Sequence, residues 1–479
     1  MTAILALALV LLPLAMGGLA FAVPSDRRRP WLLPVTGLGE LALVVLALAT
    51  PDVSAANGWI VLDEIGRVVL GLLGVLFFLC SIYAVGYLRG HADRPNRLFC
   101  ATLHSFFAMM VLVVLSRHLG LLWVAMEAAT LSCGPLLYYA RNRRSLEATW
   151  KYLMVGSVGI ALALLGSFFL AYSAFHSGLP TSLLIDDLIR EAPRLSRPWL
   201  HAAFVFLFVG YGTKMGLAPM HTWKPDAYGE APGLVGALLA GGLTNCAFLA
   251  IVRFYRIAEA AGEGPFAREI LTVMGLGARA AGGLFMLRQR DLKRLLAYSS
   301  VEHMGILVLG LGLGGAAAFG TLFHVVNNGL AKGVMFLAAG NLHRSFGSKN
   351  LDQVSGAIRV RPLTGWLFLV GFLAVTGTPP FAPFHSEFAI LCGAMEGGRF
   401  LVATLYLTFL SIAFMGMGTA VLAVVQGRPS QPVASLPREG FLETFPVLVL
   451  AGLVLLLGVY VPAPLAKLLG DGARLLGAP

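Results

Sequence analysis

Apolar positions in this chain run in blocks of about twenty. Each block is closed by a short cluster rich in Arg, Pro, Gly, Asn or Asp, and the alternation continues from one end to the other. A helix needs about 20 apolar residues to cross roughly 30 Å of hydrocarbon, so the blocks predict membrane-spanning helices. Fourteen spans are expected, at 2–23, 31–50, 66–88, 98–116, 118–139, 151–173, 199–220, 232–253, 270–287, 295–313, 317–341, 363–395, 400–425 and 443–466. No interval between them is long enough for a folded soluble domain. The longest, 174–198 and 342–362, have room for one amphipathic turn or short helix each.

Two of the spans are interrupted by proline, which removes a backbone donor and clashes with the preceding turn. One break falls at Leu217-Ala218-Pro219-Met220 and the other at Thr378 to Pro383, read as TPPFAP. Their separation of about 164 residues matches the length of a five-helix unit, 98–253 against 270–425. Paired discontinuous helices in two halves point to a transport site near the bilayer midplane. An odd number of spans turns the second copy over. The expected fold is therefore an all-α polytopic membrane protein of about 14 transmembrane helices, with two inverted five-helix repeats that each contain one broken helix. Residues 1–97 supply flanking helices before the repeats, and 426–479 a last helix and tail.

Composition supports this reading: 58% of the 479 residues are hydrophobic and 12% are charged, against about 25% charged in soluble domains. The net charge of +11 does not indicate nucleic acid, because the basic residues sit in short loops and form no single basic face. With the N-terminus outside, 21 Lys and Arg fall on inside segments and 11 on outside ones, the bias of a protein with both termini outside. The stretch AFAVP at 20–24 resembles a signal-cleavage site, but no positive charge precedes the first block and Arg27, Arg28 and Arg29 follow it. That order predicts a retained first span. The five cysteines are scattered in or beside apolar blocks with no C-x-x-C, which argues against a zinc or iron–sulfur site on this chain. No G-x-x-x-x-G-K-[ST] loop is present, so an ATP-driven pump is not indicated.

Charges inside the spans carry the candidate chemistry, because each costs about 2.5–3.5 kcal/mol at the bilayer centre on insertion scales. They are Glu40, Glu127, Lys214, Arg279, Glu302, Lys332 and Glu387. Lys214 and Glu387 each lie close to one of the two breaks, where freed backbone groups tend to create a polar pocket. Glu127, in LLWVAMEAATL, is a candidate partner for Lys214. In FHVVNNGLAKG, His324, Asn328 and Lys332 recur every four residues and so share one helix face, a polar stripe through an apolar span. Glu302 and His303, near the start of the tenth span, suit either a relay or a helix cap. His221 and Lys224 follow the first break and suit proton entry or loop stabilisation. Glu40 and Arg279 either pair inside the bundle or meet a neighbouring subunit. Burial favours the neutral form of a lysine and a nearby carboxylate favours the charged form. A Lys–Glu pair of variable separation can therefore load and release a proton, and a static ion pair that fixes packing is the alternative.

The segments GYGTKMGLAPMHTWKPDAYGEAP, RDLKRLLAYSSVEHMG, FHVVNNGLAKGVMFLAAGNL and GTPPFAPFHSEFAIL resemble the antiporter-like membrane subunits of complex I, Mrp-type cation/proton antiporters and group 4 hydrogenases. The likeness covers roughly 98–425, and its wording is most similar to the F component of hydrogenase-4 and formate hydrogenlyase. It is weaker to the largest complex I pump subunit, whose long lateral helix is not expected here. The resemblance implies fourteen helices with two inverted five-helix repeats, and a charged line that falls here on Glu127, Lys214, Lys332 and Glu387. The eighth-helix member of that line falls on Asn245, which cannot titrate. Asn328 stands where a second histidine is frequent, and Lys224 replaces an apolar residue, so His324 or water is expected to bridge the centre.

The expectation is a proton-translocating membrane subunit of a multisubunit redox complex in the inner membrane, hydrogenase-4-like or NADH:quinone oxidoreductase-like. It carries no cofactor or metal itself. Iron–sulfur and nickel–iron or flavin centres belong to partner subunits of the membrane arm and a peripheral redox arm. The alternatives are an Mrp-type secondary antiporter subunit and a membrane partner of a soluble enzyme such as a bicarbonate-uptake system.

Overall fold

The computed structural model describes residues 2–428 and 439–478; Arg438, counted above among the inside charges, lies outside the described residues. The chain begins with α1 (Thr2–Ala22) and α2 (Leu32–Ala49), followed by a small antiparallel hairpin of β1 (Ser54–Ala55) and β2 (Ile60–Val61). Then come α3 (Glu64–Arg89), α4 (Arg97–Leu115), α5 (Leu119–Leu137), α6 (Arg143–His176), the short α7 (Ile185–Glu191), α8 (Arg197–Met215) and α9 (Trp223–Glu230). A π-helical turn, Leu239–Leu243, joins α10 (Gly233–Leu238) to α11 (Thr244–Ala260). The second half holds α12 (Gly264–Met286), α13 (Leu292–Leu313), α14 (Ala317–Phe346), α15 (Ala357–Val360), α16 (Pro362–Val375), α17 (Ala382–Glu396) and α18 (Phe400–Gln426). It closes with α19 (Phe441–Val459) and α20 (Ala463–Arg474).

Twelve of the described helices are long and apolar enough to cross a membrane, with α10 and α11 counted together. The other two expected crossings correspond to α8, which carries Lys214 in its last turn, and to α16 with α17, whose break leaves 14 and 15 residues on its two sides. The intervals 174–198 and 342–362 each contain a short helix, α7 and α15. α6 begins eight residues before the expected 151, because a capping box starts it: Asn142 Oδ1 accepts from Ser145 N (2.8 Å) and Ser145 Oγ from Asn142 N (3.1 Å). Hydropathy misses that turn, since it is basic.

The loops gather into two groups. The hairpin, the α4–α5 turn and the segment before α7 meet through bridges Ile60–Ser116 and His118–Leu184. At the other end, Asp226 of α9 binds Lys151 of α6 (2.9 Å) and Arg294 of α13 (2.5 Å), and Lys349 binds Glu230 (2.6 Å). α10, α11 and α14 are enclosed by other helices. By contrast, α6 presents Met154, Val158 and Phe168 outward, an apolar surface suited to lipid. In lipid there is little hydrophobic drive between helices, so close packing depends on small residues. A Cβ at Gly210 of α8 would sit 2.6 Å from Ala163 N of α6, and one at Gly305 of α13 would sit 2.7 Å from Gly275 O of α12.

Asp63 fastens the hairpin end. It caps α3 by accepting from Gly66 N (2.8 Å), pairs with Arg117 Nη1 (2.7 Å) and lies 3.6 Å from Arg253 Nη2. Arg253 in turn donates to the terminal carbonyls of α4 at Val113 (2.9 Å), Val114 and Ser116 (2.6 Å). Burial pushes the Asp63 carboxyl up, but the Arg253 and Arg117 guanidinium groups and the Gly66 N–H outweigh it and hold the group below the ordinary carboxylate range. A depressed carboxyl stabilises the fold above its unfolded value and stops doing so as pH falls through the folded one. Asp63→Asn should therefore cost about 3 kcal/mol at pH 7, read as a lower melting temperature in detergent. The difference from wild type should shrink only below about pH 4, and a gap that vanished already at pH 6 would contradict this account.

Candidate functional site

Helix α8 stops inside the bundle because Gly216 turns into the left-handed region (φ +75°) and Pro219 follows. A stopped helix leaves its last carbonyls without partners. Two consecutive side chains of α9 return to satisfy them: Trp223 Nε1 donates to Thr213 O (2.9 Å) and Lys224 Nζ to Met215 O (2.8 Å). Lys214 lies in the last turn of α8, buried. Its ammonium donates to Thr130 Oγ1 (2.6 Å) and to Glu127 Oε2 (3.1 Å), both on α5. Ser157 of α6 donates to the other Glu127 oxygen (2.6 Å). Gly156 makes the room, since a Cβ there would stand 2.9 Å from Lys214 Nζ.

In the second half α16 ends at Val375, and Gly377 takes the left-handed conformation (φ +64°) before the proline pair. Glu387 of α17 packs its carboxylate against that turn, 2.6 Å from where a Gly377 Cβ would be. Glu387 is buried and neither oxygen has a hydrogen-bond partner. Beside it runs a chain of hydrogen bonds. Ser386 Oγ donates to Pro383 O (2.9 Å), so it accepts from His324 Nδ1 (2.9 Å). His324 Nε2 is then the acceptor for His303 Nδ1 (3.1 Å). Lys332, on the same helix as His324, donates to Ser299 Oγ of α13 (2.6 Å).

Glu302 requires a correction. α13 begins at Leu292, where Asp291 caps it through Lys293 N and Arg294 N (2.9 and 3.0 Å), so Glu302 and His303 stand in mid-helix and cap nothing. Glu302 is ion-paired with Arg279 of α12 (2.8 Å), whose guanidinium lies 3.7 Å over the Tyr406 ring. Glycines flank the pair: a Cβ at Gly282 would lie 2.7 Å from Glu302 Cβ, and one at Gly305 would lie 2.8 Å from Arg279 N. That answers the question of Arg279, which pairs inside the bundle. Glu40 is fully buried on α2 with both oxygens unpartnered, one turn beyond Thr36, whose hydroxyl meets His104 Nε2 (3.0 Å). It is not part of the line.

The structure thus sets Glu127 with Lys214, and His303 and His324 with Glu387. His221 is apart, between α8 and α9, with its ring about 6 Å from those of Phe285 and Tyr298. Asn245 spends its amide on Gly241 O (2.8 Å) in the π turn and Val325 O (3.4 Å). Asn328 is buried with neither amide atom partnered. Thr130, Ser157, Ser299, Ser386 and Asn327, whose Nδ2 donates to Ser386 Oγ (3.3 Å), adjoin the charged groups and carry no charge, so a search for charges in spans passes over them. Donor atoms of His303, His324 and Glu387 lie within 4.8 Å of one another. Glu302, Arg279 and Lys332 all act on the same space, and of the two cations only the Arg279 guanidinium is permanently charged.

The architecture and this buried line define a class of polytopic ion-translocating membrane subunits. The chain belongs to the NADH:quinone oxidoreductase/Mrp antiporter transmembrane family, whose model matches residues 116–415. It is 35% identical over 422 residues to the hydrogenase-4 component F homolog of Methylacidiphilum infernorum, covering 85% of this chain and 86% of that one. It is 31% identical over 444 residues to NADH-quinone oxidoreductase subunit 14 of Thermus thermophilus, covering 90% and 95%. A chain of the membrane-bound sulfane sulfur reductase, an archaeal respiratory membrane complex, superposes with a TM-score of 0.88 at 21% identity, covering 98% and 97%, and shows the shared fold. The protein is accordingly a multi-pass membrane protein.

The enclosed Arg279–Glu302 pair has the features of a static bridge. Removing one partner strands a charge and should cost about 3–5 kcal/mol. Glu302→Gln alone should reduce the amount of folded protein recovered from membranes, and Arg279→Met with Glu302→Leu should recover most of it. A double variant no better than the single one would remove the pairing from the account.

Proposed function

We propose that this chain is the proton-translocating membrane subunit of a multisubunit redox complex, hydrogenase-4-like or NADH:quinone oxidoreductase-like. The observation that carries the reading is the placement of Lys214 against Glu127 at one helix break and of Glu387 at the other, with buried polar groups between them. A break is where the backbone is already polar and where a small rearrangement changes the distance between groups. With Glu127 close, the Lys214 ammonium is stabilised; with Glu127 withdrawn, burial favours the neutral amine and the proton moves on. His303 and His324 are hydrogen-bonded to each other, and a ring nitrogen of each comes within 4.8 Å of the Glu387 carboxylate, close enough for a rearranged relay to reach it. Electron transfer would belong to partner subunits holding iron–sulfur and nickel–iron or flavin centres. The membrane would be the inner one, with both termini outside and the two five-helix halves as inverted repeats. An Mrp-type exchange of metal cations is the weaker reading, because the permanently charged Arg279 guanidinium acts on Glu387.

Lys214→Met keeps the apolar stem and removes the titratable group; Glu387→Gln keeps the shape. Each should reduce proton pumping per assembled complex in membrane vesicles at least tenfold, while assembly survives. If Lys214 only fixes packing against Glu127, Lys214→Met loses assembly together with activity, and the double variant Lys214→Met with Glu127→Gln recovers both. Normal pumping by the double variant would end the proton-carrier reading.

A further inference from the structure

The line has an apparent gap. Lys214 serves the first break and Lys332 the second half, and Asn245, on the enclosed helix between them, cannot exchange a proton. Lys224 occupies that gap. It has no solvent exposure, although HTWKPDA reads as a surface turn. Its stem packs against Gly216, where a Cβ would lie 2.6 Å from Lys224 Cδ. Its ammonium has a single hydrogen-bond acceptor, the Met215 carbonyl next to Lys214, and sits 5.6 Å from the centre of the Tyr228 ring. A primary ammonium has three donors, so two are unused. Among the described residues no carboxylate acts on it; the charged group that does is Lys332, and His221 is near enough to feel the ammonium.

The polar atoms beyond it are also unsatisfied. The Tyr228 hydroxyl interacts with that of Ser300, and neither makes a well-formed hydrogen bond to any described residue. Ser299, the neighbour of Ser300, accepts from Lys332. Buried polar groups are normally paired, with ordered water where protein offers nothing. Buried hydroxyls with spare hydrogen-bonding capacity between two lysines are what a hydrated proton path requires.

Resting on the proton-carrier reading above, we propose that Lys224 is the central proton carrier of this chain, taking a proton released by Lys214 and passing it by way of Tyr228, Ser300 and Ser299 to Lys332. At each hop the donor ammonium loses one N–H proton and becomes the neutral amine, and the next amine gains it, so charge and protons are conserved and no redox partner enters. The competing role is structural: Lys224 as a cap for the Met215 carbonyl and nothing more.

The two roles separate on conservative variants. Lys224→Gln keeps an N–H donor for Met215 O and cannot carry a proton. Lys224→Arg keeps donor and charge but does not deprotonate. Pumping per assembled complex is measured in membrane vesicles, with Lys214→Met as reference. Both Lys224 variants should assemble and pump at least tenfold more slowly. Adding Asn245→Lys to Lys224→Gln, which places an amine on the enclosed helix facing Val325, should restore part of the rate. Wild-type pumping by Lys224→Gln or Lys224→Arg, with Lys214→Met still defective, would overturn the role of Lys224 and leave the wider reading intact. Loss of assembly in both variants would make the lysine side chain itself a packing requirement and overturn the carrier role equally. Wild-type pumping by Lys214→Met would instead remove the reading on which the proposal rests.

Discussion

A helix that stops inside a membrane leaves carbonyls that lipid cannot satisfy, and the polar chemistry of this chain is organised around two such stops. At the first, α8 ends on Gly216 and the side chains of Trp223 and Lys224 return to its last turn. At the second, α16 gives way at Gly377 and the Glu387 carboxylate settles against the turn. Both stops begin with a left-handed glycine three residues before a proline. Once the backbone is interrupted at these depths, a charged side chain beside it no longer sits in pure hydrocarbon. The breaks therefore make the intramembrane lysine and glutamates tolerable, and the rest of the bundle has to be close-packed enough to hold them in place.

The buried charges fall into two kinds. Arg279 and Glu302 are enclosed by glycine-mediated contact of α12 and α13, with Tyr406 covering the guanidinium. An arginine stays protonated, and packing of this kind permits little displacement. Lys214, Lys224 and Lys332 are held differently, by one or two neutral or weakly committed partners each. Long flexible amines with unused donors can exchange partners without unfolding anything. The contrast in side-chain chemistry and in packing separates a locked ion pair from amines free to exchange partners, as the proposed carriers must, even though all of these groups are similarly buried.

Much of this was legible in the chain. Block length gave the spans, proline gave the breaks, and a charge inside a span marked Lys214, Lys332 and Glu387. What escaped followed from one missing quantity, the rotation of each helix relative to its neighbours. Without it Arg279 had no partner, although Glu302 was in view, because their meeting depends on Gly282 and Gly305 bringing two helices together. Helix starts were a second weakness: polar first turns such as Arg143 and Leu292 to Arg294 carry no hydropathy signal, and Glu302 looked terminal for that reason. Lys224 was in view for proton entry or loop stabilisation, but its burial was the hardest feature to foresee. A lysine beside tryptophan and proline in a turn is ordinarily at the surface, and its burial depends on α9 folding back beneath the end of α8.

That return of α9 also links the halves of the molecule. Asp226 on α9 is held by Lys151 from the first half and Arg294 from the second. Glu230, at the end of the same helix, is held by Lys349. Arg294 lies on the helix that also carries Ser299, Glu302 and His303, and Lys224 lies on the helix that carries Asp226. A shift of the first break cannot leave α13 unaffected, because the short helix that caps the break is fastened to it by a charged contact of 2.5 Å. Ion pairs at an exposed end are individually weak, so this fastening does not make the assembly rigid. It ties α9 to both halves at once, which is the geometry that the proposed hand-over of a proton from one break to the other would need.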